Sequence, residues 1–95
     1  MKLDNRGLRD LERLMNFLAA NQLGETILVG FSDSEGAYED NFNKSCRRAE
    51  AVKEEFEAMG LPIRDVICVG EELPIASNTT ASGREKNRRV EVWIK

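Results

Sequence analysis

The chain has no histidine among its 95 residues, and it holds only two cysteines, two prolines, one tryptophan and one tyrosine. Without histidine the usual Cys/His zinc sites cannot be assembled, and neither can the Ser/His and Cys/His pairs of hydrolytic enzymes. Metal binding and cofactor chemistry are therefore not expected. For Cys46 and Cys68 a disulfide stays open, but two small buried thiols are the plainer reading, because Cys46 precedes a helical apolar stripe and Cys68 sits in an apolar run. Long hydrophobic runs are also missing. Nothing approaches the roughly 20 apolar residues of a membrane span, and Met1 is followed by a charged amphipathic segment rather than by a basic stretch and an apolar core. Neither direct membrane insertion nor a signal peptide is visible, which leaves a cytoplasmic protein or a domain excised from a longer chain.

An excess of basic charge is lacking as well. Fourteen Lys and Arg face 17 Asp and Glu, for a net charge of −3 and a pI near 5.0, which argues against nucleic acid as the main partner. There are no internal repeats and no low-complexity tracts. What is present, 41% hydrophobic and 33% charged residues, suits one modest core under an ordinary polar surface, hence one domain over residues 1–95.

Leu8, Leu11, Leu14, Met15 and Leu18 recur at three and four and predict an amphipathic helix from about Asn5 to Asn21, stopped at Gly24. A short β-branched strand is expected over Thr26 to Phe31. The polar loop that follows leads into a second helix, expected to begin between Asp40 and Asn43 and to end at Gly60, with Ala49, Val52, Phe56 and Met59 as its buried stripe. Val66 to Val69 reads as a second buried strand. A strand, helix and strand in that order predict a parallel pair with a right-handed crossover, and so an α/β fold. After Gly70 runs a long polar segment, Glu71 to Arg89, in which Ser82 to Asn87 has the makings of a short helical turn; a connection of this length points to function. Asn87 reads as a turn former. The chain closes with Val90, Val92 and Ile94 alternating against Glu91, Trp93 and Lys95, the pattern of a strand with one buried face. Trp93 then packs on the outer sheet face, beside a cross-strand neighbour.

The stretch from Gly30 to Ala49, GFSDSEGAYEDNFNKSCRRA, carries the chemistry, because loops beyond the carboxyl ends of strands are where such folds present ligand-binding side chains. GFSDSEG, NFNKSCRRA and ASNTTASGREKNRRVEV together resemble the OmpA-like peptidoglycan-binding domain, in order and spacing, over nearly the whole chain. The variant Gly-Phe-Ser-Asp and the ending Asn-Arg-Arg-Val-Glu-Val-Trp are further similar to the OmpA-like domains attached to periplasmic phosphate-binding proteins. The resemblance implies two helices packed on a small mixed β-sheet, here without the family's first strand. It also implies a ligand site at Asp33, Gly36, Asn41, Ser45, Arg48 and Arg88. Asp33 and Arg48 would grip the diaminopimelate of the peptidoglycan stem peptide, anchoring a parent protein in the periplasm or at the outer membrane. A carboxylate and a guanidinium suit a ligand bearing both ammonium and carboxylate groups.

Three positions depart from the family pattern: Phe31 stands for its histidine, Ser32 for its threonine and Lys44 for its leucine. Arg88 and Arg89 have Glu71, Glu72 and Glu85 as candidate fold partners. Two function classes follow: a non-catalytic wall-binding module, or a structural or self-association domain of the same fold that no longer binds peptidoglycan. The second class draws on the last strand, which lacks an evident partner from an earlier segment and so leaves an edge for homo-oligomers. An enzyme is not expected, since no acid/base partner for Asp33 can be assembled.

Overall fold

The computed structural model describes residues 2–3 and 25–94, so the helix expected over Asn5 to Asn21 lies outside the described residues. The elements run β1 (Lys2–Leu3), β2 (Thr26–Phe31), α1 (Tyr38–Ala58), β3 (Asp65–Gly70), α2 (Ala81–Asn87) and β4 (Val90–Ile94). They form a mixed four-stranded sheet in the order β1-β4-β2-β3. β2 and β3 pair in parallel with α1 as their crossover, as the strand-helix-strand pattern predicts. β4 runs antiparallel to β2, with Leu28 opposite Val92.

The last strand is not left without an earlier partner. Lys2 pairs with Trp93 and Leu3 with Val92, so β1 covers the outer side of β4. Two residues are too few to show a period of two, which is why the sequence pattern missed this strand.

Sheet and α1 close over Leu28, Ala49, Phe56, Ile63, Val90, Val92 and Ile94, with Val52, Leu61 and Val66 packed against them. Burying each large side chain of this set contributes about 1.5–3 kcal/mol. The helix stripe differs from expectation at one end: Ala49 and Phe56 are fully enclosed, but Met59 is half exposed because α1 stops at Ala58 and Met59 is its cap. α1 also starts earlier than expected, at Tyr38, with Ala37 as a cap that offers no side-chain hydrogen bond. What lets the helix lie so close to β2 is Gly30. A Cβ there would stand 2.1 Å from the Ser45 carbonyl oxygen and 3.0 Å from the Ala49 Cβ.

Cys46 and Cys68 are joined in a disulfide, with their Cα atoms 5.0 Å apart, and no described cysteine is free. This corrects the reading of two buried thiols. Each position was read within its own element, whereas the bond depends on α1 lying over β3. The bond closes a loop of moderate length, for which chain entropy alone gives about 3 kcal/mol of stabilisation.

Candidate functional site

β2 delivers Phe31, Ser32 and Asp33 to the carboxyl end of the sheet, where the loop into α1 and the entry to β4 meet them. Asp33 is buried to 7% exposure. Its Oδ1 accepts a hydrogen bond from the Glu35 backbone N–H at 3.0 Å, and its Oδ2 accepts one from Arg88 Nη1 at 2.6 Å. Burial pushes the Asp33 carboxyl up, but Arg88 by hydrogen bond and charge, the Glu35 amide and the charge of Lys44 together outweigh it and hold the group below the ordinary carboxylate range. Asp33 is therefore an anion at neutral pH. Gly36, at φ +91 with open space around it, takes the left-handed conformation in the turn that follows Glu35.

Arg48 reaches the same corner from α1. Its Nη1 donates to the Phe31 carbonyl at 2.7 Å, which fixes the guanidinium beside the end of β2. Burial, then repulsion from Arg88, lowers its pKa, while Asp33 acts to raise it. Among the described residues no carboxylate pairs with Arg48. Asp33, Arg48 and Arg88 are thus brought together.

Asn41, Ser45 and Gly36 are placed differently. Ser45 is fully buried; its hydroxyl donates to the Phe42 carbonyl at 2.6 Å and accepts from the Gly70 N–H at 3.0 Å, tying the end of β3 to α1. Asn41 is equally enclosed, donates from Nδ2 to Glu71 at 3.2 Å, and its Oδ1 has no hydrogen-bond partner. These two side chains brace the ends of β3 and α1 around the site.

The long segment after β3 is ordered by one residue. Asn87, fully buried, accepts from the Ile75 and Ala76 amides and donates to the Ala76 carbonyl and to Asn78 Oδ1, which uses all the bonding capacity of its amide. Asn78 Oδ1 in turn accepts from the Ser34 N–H at 3.3 Å, so the segment leans on the Asp33 loop. Thr80 caps α2 by accepting from Gly83. The short helix expected near Ser82 is present, whereas Asn87, expected to form a turn, is the last residue of that helix and orders the preceding segment through its side chain.

Sequence reasoning missed Arg89. It pairs not with Glu71, Glu72 or Glu85 but with Glu91, at 2.9 Å from Nε; Nη2 donates to the Leu73 carbonyl, and the guanidinium lies 3.6 Å from the centre of the Phe31 ring. The signal was available, because residues two apart on an extended chain share a face. Trp93 lies opposite Ile27 on the outer face, as a cross-strand packing residue should, and also donates to Glu91. An open groove of about 410 Å³, lined by Tyr38, Glu39, Phe42 and Asn43 on the first turns of α1, was not foreseen either. No helix among the described residues is long and apolar enough to cross a membrane, and no described cluster could hold a metal ion.

The family model for OmpA matches residues 1–88. The chain belongs to the OmpA family. It is 37% identical to outer membrane protein A of Bordetella avium over 97% of its own length and 48% of that protein. To the peptidoglycan-binding protein ArfA of Mycobacterium bovis it is 36% identical, over 88% of this chain and 26% of that one. In three dimensions it matches the cell wall anchor of the T6SS from Pseudomonas aeruginosa with a TM-score of 0.73 at 27% identity, covering 95% of this chain and 66% of that chain. The chain spans between about a quarter and a half of the length of the curated relatives it matches. Two helices against a mixed sheet are this family's architecture in this chain.

Proposed function

We propose that this OmpA-family domain binds peptidoglycan through the diaminopimelate of the stem peptide and anchors the longer exported protein that carries it. The observation that carries this reading is the convergence of Asp33, Arg48 and Arg88. A carboxylate offers about four lone-pair positions, and the two bonds to Glu35 and Arg88 leave Asp33 able to accept a ligand ammonium. Arg48 spends one of its five N–H donors on Phe31, so the rest of its fork can take the neighbouring carboxylate in bidentate fashion. Arg88 keeps Asp33 ionised and aimed. Binding of this kind needs no bond to be made or broken, so the role is non-catalytic.

Support comes also from two relatives named for binding peptidoglycan and for anchoring to the cell wall. The Cys46–Cys68 bond fits an oxidising compartment, and so a periplasmic or outer-membrane-associated setting. Sedimentation with purified sacculi at low salt tests the reading. The domain is expected in the pellet, with Asp33→Ala left in the supernatant. Retention of the parent domain in the supernatant, while a known binder sediments, would favour the alternative of a structural domain that has kept only the fold.

A further inference from the structure

Phe31 is buried, yet it lies outside the core closed by the sheet and α1. Gly30, one residue earlier, faces Ser45 of α1, so the Phe31 side chain stands on the opposite face of the sheet. Arg89 lies over its ring there, with the guanidinium carbon 3.6 Å from the ring centre. The guanidinium is itself fixed at two points, by Glu91 at 2.9 Å and by the Leu73 carbonyl at 3.1 Å. Its Nη1 has no hydrogen-bond partner among the described residues, and a buried cation with an unanswered N–H is a poor source of stability. The backbone of Phe31 is held as closely. Its N–H donates to the Arg89 carbonyl at 2.8 Å, and its own carbonyl accepts from Arg48 at 2.7 Å. These contacts fall where the pairing of β2 with β3 loses its regular register, between Gly30 and Phe31.

We infer that Phe31 and Arg89 are positioning residues for Arg48: stacked on the face away from α1, they hold the end of β2 in place, and with it the carbonyl that aims the Arg48 guanidinium at the ligand. This rests on the proposed binding of diaminopimelate. Where the ladder to β3 is irregular the strand end needs a further restraint, and ring and guanidinium supply it from a single pair of residues. Phenylalanine stands here in place of the histidine of the family pattern, so the ring stays uncharged beside the guanidinium at any pH, whereas an imidazolium would be repelled by it. A desolvated contact of cation and ring is worth about three- to tenfold in an equilibrium, and that is the loss of affinity expected when the ring is removed.

Titration calorimetry of the full chain with the synthetic tripeptide L-Ala-γ-D-Glu-diaminopimelate decides the matter, in a double-mutant cycle with Arg48→Ala. Phe31→Leu is expected to bind about three- to tenfold more weakly than the parent, and Phe31→Tyr, which keeps a ring under Arg89, to bind as the parent does. In the Arg48→Ala background Phe31→Leu is expected to cost nothing further, because no guanidinium is left for the carbonyl to aim. A merely structural residue lowers affinity in both backgrounds alike; that result, or undiminished binding by Phe31→Leu, overturns the inference while leaving the peptidoglycan reading in place. Circular dichroism melts accompany each variant. Where Phe31→Leu does not melt cooperatively, Phe31→Met, nearer in volume, takes its place in the cycle, and failure of both to fold makes Phe31 structural and overturns the inference as well. Absence of tripeptide binding by the parent overturns both the peptidoglycan reading and the inference.

Discussion

Asp33 is the residue on which the proposed site turns, and its two hydrogen bonds make it a stability group as well. Its carboxyl is more acidic in the folded chain than its ordinary value of 3.8. A depressed pKa means that the stabilisation is complete above that ordinary value and is lost as the pH falls through the lower, folded one. Acid unfolding followed by circular dichroism should therefore be less steep below pH 4 for Asp33→Asn than for the parent; superimposable acid limbs would show that Asp33 titrates alike in both states. Arg48 belongs at this scale too. Arg48→Ala removes one bond to a carbonyl, costing about 1 kcal/mol of stability, but it removes a charged donor to the ligand, costing about 1.5–3 kcal/mol, or roughly ten- to more than a hundredfold in affinity. A cooperative melt with lost sacculus binding is the expected pair of results. Loss of the melt itself would make the arginine structural.

Two of the elements are held by groups whose partners lie far away in sequence. α1 is fixed to β3 by the disulfide and by Ser45, and to β2 by the close approach at Gly30. Gly30→Ala is expected to destabilise the fold by more than about 2 kcal/mol, because the Cβ would meet backbone that cannot move without shifting the helix. A denaturant titration measures it. The paired substitution of Cys46 and Cys68 by serine should lower stability by about 3 kcal/mol, and peptide mapping without reductant should find the two cysteines linked. The segment before α2 depends on Asn87 in the same way: Asn87→Ala strips the Ile75 and Ala76 amides of their partner and should cost about 2–4 kcal/mol, with weaker sacculus binding because Ser34 leans on Asn78.

At the scale of the whole molecule, the sequence was most legible where one residue type repeats at one period. Val90, Val92 and Ile94 announce β4, and Ala49, Val52 and Phe56 announce the buried face of α1. Asp33 and Arg48 were legible only through the spacing of their motifs, since a lone aspartate in a loop or an arginine on a helix ordinarily faces solvent. The disulfide, β1 and the burial of Arg89 were not anticipated, because each depends on contact between distant segments or on too few residues to show a pattern. With β1 beside β4, the sheet of the described residues ends at a two-residue strand and at β3, which opens on the charged Asp65; both blunt edge-to-edge pairing. Sedimentation over a range of concentrations should accordingly give a monomer, and a rising mass would return the case to self-association.

The register of β4 has a mechanical meaning. Val90 lies opposite Gly30, near the site, and Ile94 opposite Thr26 at the far end, so the chain leaves the sheet about 15 Å from where Asp33 and Arg88 stand. A pull applied between the Asp33 corner and the carboxyl end of β4 would run along the strands, not across them. The hydrogen bonds joining β4 to β2 are then loaded in shear and must give way together, whereas a pull across the sheet would part them one at a time.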